Sequence, residues 1–364
     1  MKIYGYPIHQ GGAEFYAGVV GVNVLLERIR VDTFSSVSQD GYQRSLSAAR
    51  ARAFGRYILG KNYSPLSILV NVREADAISV GEGIIEVRDD VELWVVDGQH
   101  RVEGFRFATQ QDPEVGLMEV PVILMNQPSG YQEAWQFITI NKTQKGVRTD
   151  LAERFLDQAL KREGRAALQD MRDQGALRGM LRNIEWVGKA LAIADELNAG
   201  RGHAWYGKIR LPNEPKYGTL VAQKSFTDSL EPILKDAFFQ GKDSHAIAAA
   251  LGNYWDAITE LTQAAFDSPQ DHVIQKTTGV FVMHRIFPRV SELCRDKYGN
   301  RVLTRERIKS VLGQISMMTA DYWASNGPAG KRGTSKKAFS VIALEMLESL
   351  EEAQSQSAEP DLVT

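Results

Sequence analysis

Five consecutive residues, Asp97-Gly98-Gln99-His100-Arg101, put a carboxylate, a glycine, an amide, an imidazole and a guanidinium side by side. They follow the apolar run Leu93-Trp94-Val95-Val96 and precede Val102, Phe105 and Phe107, which open a helix. A strand, a glycine and then a helix is a geometry that holds phosphates. The first N–H groups of a helix lack partners within it, and the aligned peptide dipoles favour negative charge there. Gly98 lets a ligand approach the backbone with no Cβ in the way. Arg101 has the fork to grip a phosphate through two parallel N–H bonds, and His100 offers a second donor or, near neutral pH, a proton acceptor. Asp97 is the odd member, because a carboxylate beside an anion is repulsive unless offset. It can cap the helix, hold Arg101, or carry a magnesium ion that accompanies the phosphates.

Two chemistries follow. Either a nucleotide or another phosphate group is held and sensed, or a nucleoside triphosphate such as ATP is hydrolysed. In the second case Asp97 and His100 are the catalytic groups, with Asp97 placing magnesium or a water and His100 assisting proton transfer. The plain alternative is a helix cap with surface hydrogen bonds.

The elements that position this turn lie in the first 148 residues, which hold most of the strand-like signals. Ser67–Val72 and Val120–Met125 are short aliphatic runs bounded by turn residues. Gly83–Val87 and Glu92–Val96, joined through Arg88-Asp89-Asp90, predict a hairpin whose second strand delivers the chain to Asp97. Helices are expected over Ala48–Leu59 and from Gly98 to about Ala108. From Thr149 onward the spacing becomes helical, with long helices starting at Ser244, after Thr304 and after Ser335. With 364 residues the chain is too long for one core, since single cores stop growing near ~250 residues. The fold class is therefore α+β: a mixed α/β domain over 1–148, a mainly helical domain over 149–352, and a disordered acidic tail over 353–364.

Asp97–Arg101 together with Gly104 resembles the signature of the DGQHR-domain family. Gln39-Asp40-Gly41-Tyr42-Gln43-Arg44 is similar to the family's upstream element, and Phe137–Lys145, with Asn141 and Gln144, to its downstream one. Within the family the layout looks most like that of the DNA sulfur-modification (phosphorothioation) proteins. The resemblance implies a first domain related to the ParB/sulfiredoxin group, in which the equivalent motif binds nucleotide phosphates. It implies Gln43, Arg44, Asn141 and Gln144 as further ligand contacts beside Gly98, Gln99 and Arg101. It also implies DNA and other phosphorothioation proteins as partners, and a role in regulating the modification operon. Sulfiredoxin-type redox chemistry is not supported, because the single cysteine, Cys294, lies far from the motif and reads as a buried thiol.

The formal net charge of −2 provides no global attraction to nucleic acid, so contact with DNA must come from local basic patches. Gly330–Lys337 is the densest, with Lys331, Arg332, Lys336 and Lys337; it lacks the glycine spacing and preceding strand of a P-loop. Lys145 and Arg148 form, with Asn141 and Gln144, a polar turn able to reach a phosphate or a base edge. Trp205–Tyr217 interleaves aromatics with basic residues, a composition compatible with stacking on a strand. Arg44, Arg50, Arg52 and Arg56 lie along one stretch, with Arg52 and Arg56 stacked at i, i+4; a solvated helix face is the default reading. The histidines lack metal-ligand spacing, and no metal site is expected beyond magnesium at Asp97. No apolar run approaches the ~18 residues of a membrane span, so a cytoplasmic protein without membrane contact is expected.

Overall fold

The structure, a computed structural model, describes residues 1–11, 13–38, 40–127, 130–144, 149–172 and 178–358. Packing divides the chain into two units, Met1–Ala176 and Leu177–Thr364.

The first unit is built on an eight-stranded mixed sheet. In chain order it contains β1 (Lys2–Gln10), β2 (Ala13–Gly21), α1 (Val22–Arg28), β3 (Ile29–Arg30), α2 (Ala48–Leu59), β4 (Ile68–Val72), β5 (Ile78–Gly81), β6 (Ile84–Val87), β7 (Leu93–Asp97), α3 (Gln99–Gln111), β8 (Glu119–Asn126), α4 (Gly130–Gln144) and α5 (Thr149–Arg172). The strand order is β3-β7-β4-β8-β2-β1-β6-β5. β7 runs parallel to β3 and antiparallel to β4, with Val70 opposite Val95. Leu93, Val95 and Val96 are all buried, so β7 is covered on both faces and reads as an unbroken apolar run rather than an alternating one.

The expected hairpin of Gly83–Val87 with Glu92–Val96 does not form. β6 pairs instead with β5 and β1, and the chain reverses at Glu82-Gly83, which have φ of 53° and 77°. Two central residues at positive φ give the tight turn whose twist matches a hairpin, so the reversal falls one strand earlier. Arg88–Asp90 is then a connection. Asp89 holds the N-terminal ammonium at 2.6 Å and Arg28 at 2.7 Å.

α5, expected to open the second domain, packs in the first unit. Phe155 stacks on Tyr131 at 5.6 Å and meets Tyr42 edge-on at 6.5 Å.

The second unit is helical, apart from a two-stranded ribbon of Ile209–Arg210 and Val221–Ala222. The helix Ser244–Leu261 starts where its spacing predicts, with Asp243 as the capping side chain, 2.7 Å from Ala246 N. The helix Arg305–Leu312 follows Thr304, and Ser335 Oγ accepts from Ala338 N at 3.2 Å before the helix Lys336–Ala358. That helix continues past residue 352, where the disordered tail was expected. Extending a formed helix through Glu, Ala and Gln adds a hydrogen bond per residue without a new nucleus. Residues 359–364 lie outside the described part.

The helix Thr277–Leu293 buries residues on most of its circumference, among them Val280, Met283, His284 and Phe287. Its polar residues Arg285, Arg289 and Glu292 fall at helical spacing, but Pro288 in its interior reads as a helix breaker, which is why the sequence does not announce it. His284 is fully buried, and burial pushes its pKa down to about 3. Trp255 Nε1, which can only donate, lies 3.0 Å from His284 Nε2, so the proton sits on Nδ1, 2.7 Å from Ser229 Oγ. Cys294 is buried as expected, and burial pushes its thiol up to about 11. In the segment Trp205–Tyr217, Trp205 is fully buried, 4.9 Å from Phe226 and 4.8 Å from Trp255, while Tyr206 and Tyr217 are exposed.

Candidate functional site

Gly98 links β7 to α3 at φ 106°, a left-handed conformation that favours glycine. A Cβ there would also meet the Arg101 guanidinium at 3.1 Å. The left-handed backbone is what requires the glycine, since the guanidinium can give way by a few tenths of an ångström. The next N–H groups close onto Gly98 O, from Arg101 N at 2.8 Å and Val102 N at 3.0 Å.

Arg101 is not a free fork. Its Nη1 donates to Leu66 O at 2.6 Å and its Nη2 to Asp97 Oδ2 at 3.1 Å. Burial lowers its pKa against the opposing pull of Asp97. The expected parallel grip on a phosphate is thus replaced by a brace that ties the turn to the chain at Leu66. Asp97 takes the second of its three expected uses and holds Arg101.

His100 is likewise committed on one side. Ser47 N–H donates to its Nε2 at 3.1 Å, so Nε2 is an acceptor and the proton lies on Nδ1. Burial, then Arg44 and Arg50, lower its pKa and keep the ring neutral. The reading of His100 as a proton acceptor loses its Nε2 lone pair; what remains is a donor at Nδ1.

The Ser47 contact also sets the frame. Ser47 caps α2 and His100 stands in the first turn of α3, so the two N-termini touch. A Cβ on Gly104 would lie 2.8 Å from Ala51 O, and one on Gly55 would lie 2.5 Å from the Phe107 ring. The pairs Ser47–His100, Ala51–Gly104 and Gly55–Phe107 advance together, so α2 and α3 run parallel with their N-termini side by side. Each end carries roughly half a positive charge, and parallel dipoles repel. Neither first turn contains an acidic residue. Exposed Arg44 and Arg50 add further positive charge.

A cavity of about 140 Å³ lies at this end, lined by Gln43, Arg44, Val96, Asp97, Gly98, Gln99, His100, Arg101, Phe137 and Asn141. The structure thus brings three separated segments to one wall. Gln43 is fully buried, and its Nε2 donates to Val95 O and to Tyr42 Oη, so it also steadies β7. Asn141 lies on α4 and not in a turn; its Nδ2 donates back to Phe137 O at 2.8 Å. Gln144 ends the same helix, and Lys145 and Arg148 lie outside the described residues. Phe137 enters with the downstream element it opens, and Arg50 from the arginine stretch. Ser47 and Val96 join the site without a motif of their own, and Ser47 carries a signal only as a capping residue before Ala48.

Gln99 is the telling side chain. It is 6% exposed, lines the cavity, and makes no side-chain hydrogen bond among the described residues, with Oε1 fully buried. A buried amide left unpaired costs about 1–3 kcal/mol. The paired helix ends and this amide suit a phosphate-bearing group with a polar edge. Pockets for whole small molecules span ~300–1,000 Å³, so a cavity of this size has room for only part of such a molecule. For magnesium the donor set is a single carboxylate, Asp97, and among the described residues no three His, Cys, Asp or Glu side chains converge. A metal would have to arrive with the phosphates.

A buried network stands behind the cavity. Glu133, with no exposure, accepts from Tyr42 Oη at 2.6 Å, Asn71 Nδ2 at 2.9 Å, and Arg73 Nε and Nη2, both at 2.9 Å. Burial opposes the Arg73 charge, but Glu133 and Asp32 outweigh it and raise its pKa. Burial, reinforced by Glu133, holds the Tyr42 phenol well above its usual range.

In the second unit Lys331, Arg332, Lys336 and Lys337 are all exposed, around the first turn of the helix Lys336–Ala358. Arg332 is the exception to the expected free patch, since its Nη1 lies 2.7 Å from both oxygens of Glu345. Among the described residues the other three have no ion pair.

Among the described residues no helix is long and apolar enough to cross a membrane. No curated protein and no solved structure matches the chain. Residues 4–163 match the model of the family DndB, described as DNA-sulfur modification-associated. That segment contains every residue of the cavity, and over it the chain is DndB-like.

Proposed function

We propose that the first unit holds the phosphate-bearing part of a nucleotide at the α2 and α3 N-termini, as the sensing element of a protein of DNA sulfur modification. The buried, unpaired Gln99 amide in that cavity carries the reading, because a ligand with a polar edge offsets its cost. Sensing has more support than turnover. His100 Nε2 is occupied by Ser47 N–H, and Asp97 is engaged with Arg101.

Replacing Gln99 by leucine removes the unpaired amide while keeping its bulk. The variant is expected to be as stable as wild type or up to ~1 kcal/mol more so. It should lose the rise in melting temperature that a nucleoside triphosphate gives the wild type, tested with ATP, GTP, CTP and UTP, with and without magnesium. A rise of equal size in Gln99→Leu would place the ligand elsewhere, and a wild type indifferent to all four would remove the nucleotide reading.

We further propose that the protein acts on DNA, as a regulator of the modification genes, through Lys331, Lys336 and Lys337. Their positive charges stand beside the positive end of a helix, where an anionic backbone is attracted. Changing these three lysines to glutamine is expected to weaken a gel shift on the gene's own promoter. It should also lower the salt slope of binding by about 2–3, while Arg332→Gln changes little. An unaltered slope in the triple variant would remove this loop from the interface.

A further inference from the structure

A second cavity of the first unit, about 230 Å³, has a different character. It lies towards the other end of β7, where Arg73 stacks its guanidinium 3.7 Å over Trp94. Its walls are aromatic: Tyr131 and Phe155 are stacked at 5.6 Å and 23°, and Tyr42 meets Phe155 edge-on. Buried Ala159 leaves the space beside them open.

The polar groups are few and mixed. Arg73 is fixed in advance, 2.6 Å from Asp32 Oδ2 and 2.9 Å from Glu133 Oε1. Asp32 Oδ1 has no hydrogen bond among the described residues, and Gln158 adds an amide able to donate and accept. Arg162, also on the wall, is paired with Asp40, and two carboxylates offset the Arg73 charge, so this is not another anion cradle. Stacking walls with one acceptor, one donor and one amide suit a flat ring with a hydrogen-bonding edge.

We infer that this cavity binds a nucleobase bearing an exocyclic amino group, stacked beside Tyr131 and Phe155 with the amino group donating to Asp32. The base can belong to a free nucleotide or to an unpaired position of a DNA strand. Neither source requires the phosphate cavity, because a nucleoside carries no phosphate.

The experiment uses the full chain and isothermal titration with adenosine, guanosine, cytidine and thymidine, and with single-stranded octanucleotides that contain or lack one abasic position. At least one amino-bearing nucleoside, or a strand containing that base, is expected to bind about tenfold or more tighter than its thymine counterpart. A free nucleotide as source predicts that nucleosides suffice. A strand as source predicts that only octanucleotides bind, and that the abasic position weakens them. Ala159→Leu, which fills the cavity, should abolish binding from either source, and Asp32→Asn should erase the preference over thymine. Arg52→Ala, on the exposed face of α2 and in neither cavity, should leave nucleoside binding unchanged. If Ala159→Leu does not fold, Tyr131→Ala should weaken the same binding about tenfold. Absence of binding from both sources, or equal binding by wild type and the filled or Tyr131 variant, would overturn the inference.

Discussion

Glu133→Ala is expected to destabilise the first unit by about 3–5 kcal/mol, because it breaks a buried ion pair from one side only. The Glu133 side chain has no exposure, and four donors from Tyr42, Asn71 and Arg73 converge on it. Removing it leaves Arg73, 23% exposed, with Asp32 as its ion-pair partner among the described residues, and leaves the Tyr42 hydroxyl only Val95 O as an acceptor. Asp32→Ala should cost much less, since Asp32 is 28% exposed and Arg73 keeps Glu133. Hydrogen exchange of β4 and β7 amides, compared among wild type and the two variants, reads the difference. A Glu133→Ala loss below ~1 kcal/mol, the scale of an ordinary surface change, would mean that the network is not a structural brace. Because Tyr42 and Gln43 both hold the Val95 carbonyl, loosening here should also weaken the cavity at Asp97.

Gly104→Val should disable the site by a different route. A Cβ at Gly104 would stand 2.6 Å from the Phe54 ring, 2.8 Å from Ala51 O and 3.1 Å from Gly55 N. The ring can turn, but the backbone of α2 cannot, so the helices must separate. Overpacking of this kind costs about 1–3 kcal/mol. Separation also pulls Ser47 away from His100 and parts the two helix ends. Ligand-dependent stabilisation should therefore vanish at temperatures where the variant is still folded, as followed by far-UV circular dichroism with and without nucleotide. Gly21→Ala, at a position with nothing within 4 Å of the added carbon, is the control and should stay within ~0.5 kcal/mol of wild type. A Gly104→Val protein that keeps both its stability and its ligand response would show that the helices need no such close approach.

Much of the site was legible in one dimension. An apolar strand ending at Asp97, a glycine and a helix beginning at Gln99 are local features, and local chemistry decides them. The same holds for α2 over Ala48–Leu59 and for the helix from Ser244, whose residues alternate at helical spacing. The first expected hairpin failed because β6 and β7 are neighbours in sequence but not in the sheet, and partners are chosen by burial of both faces. The helix Thr277–Leu293 was hidden for a different reason: Pro288 in its interior reads as a breaker, and only tertiary packing carries the helix through it.

The residue types at Asp97–Arg101 by themselves determined that a turn with free N–H groups would form there, because glycine, strand and helix preferences act over a few residues. Which atoms of those residues remain available was decided only by tertiary structure. Arg101 is drawn onto Leu66 O and Asp97, His100 Nε2 onto Ser47 N–H, and Gln99 is left without a partner. Those partners lie up to 53 residues away in the chain. Ser47 comes within reach of His100 because Gly55 and Gly104 let two parallel helices approach backbone to backbone.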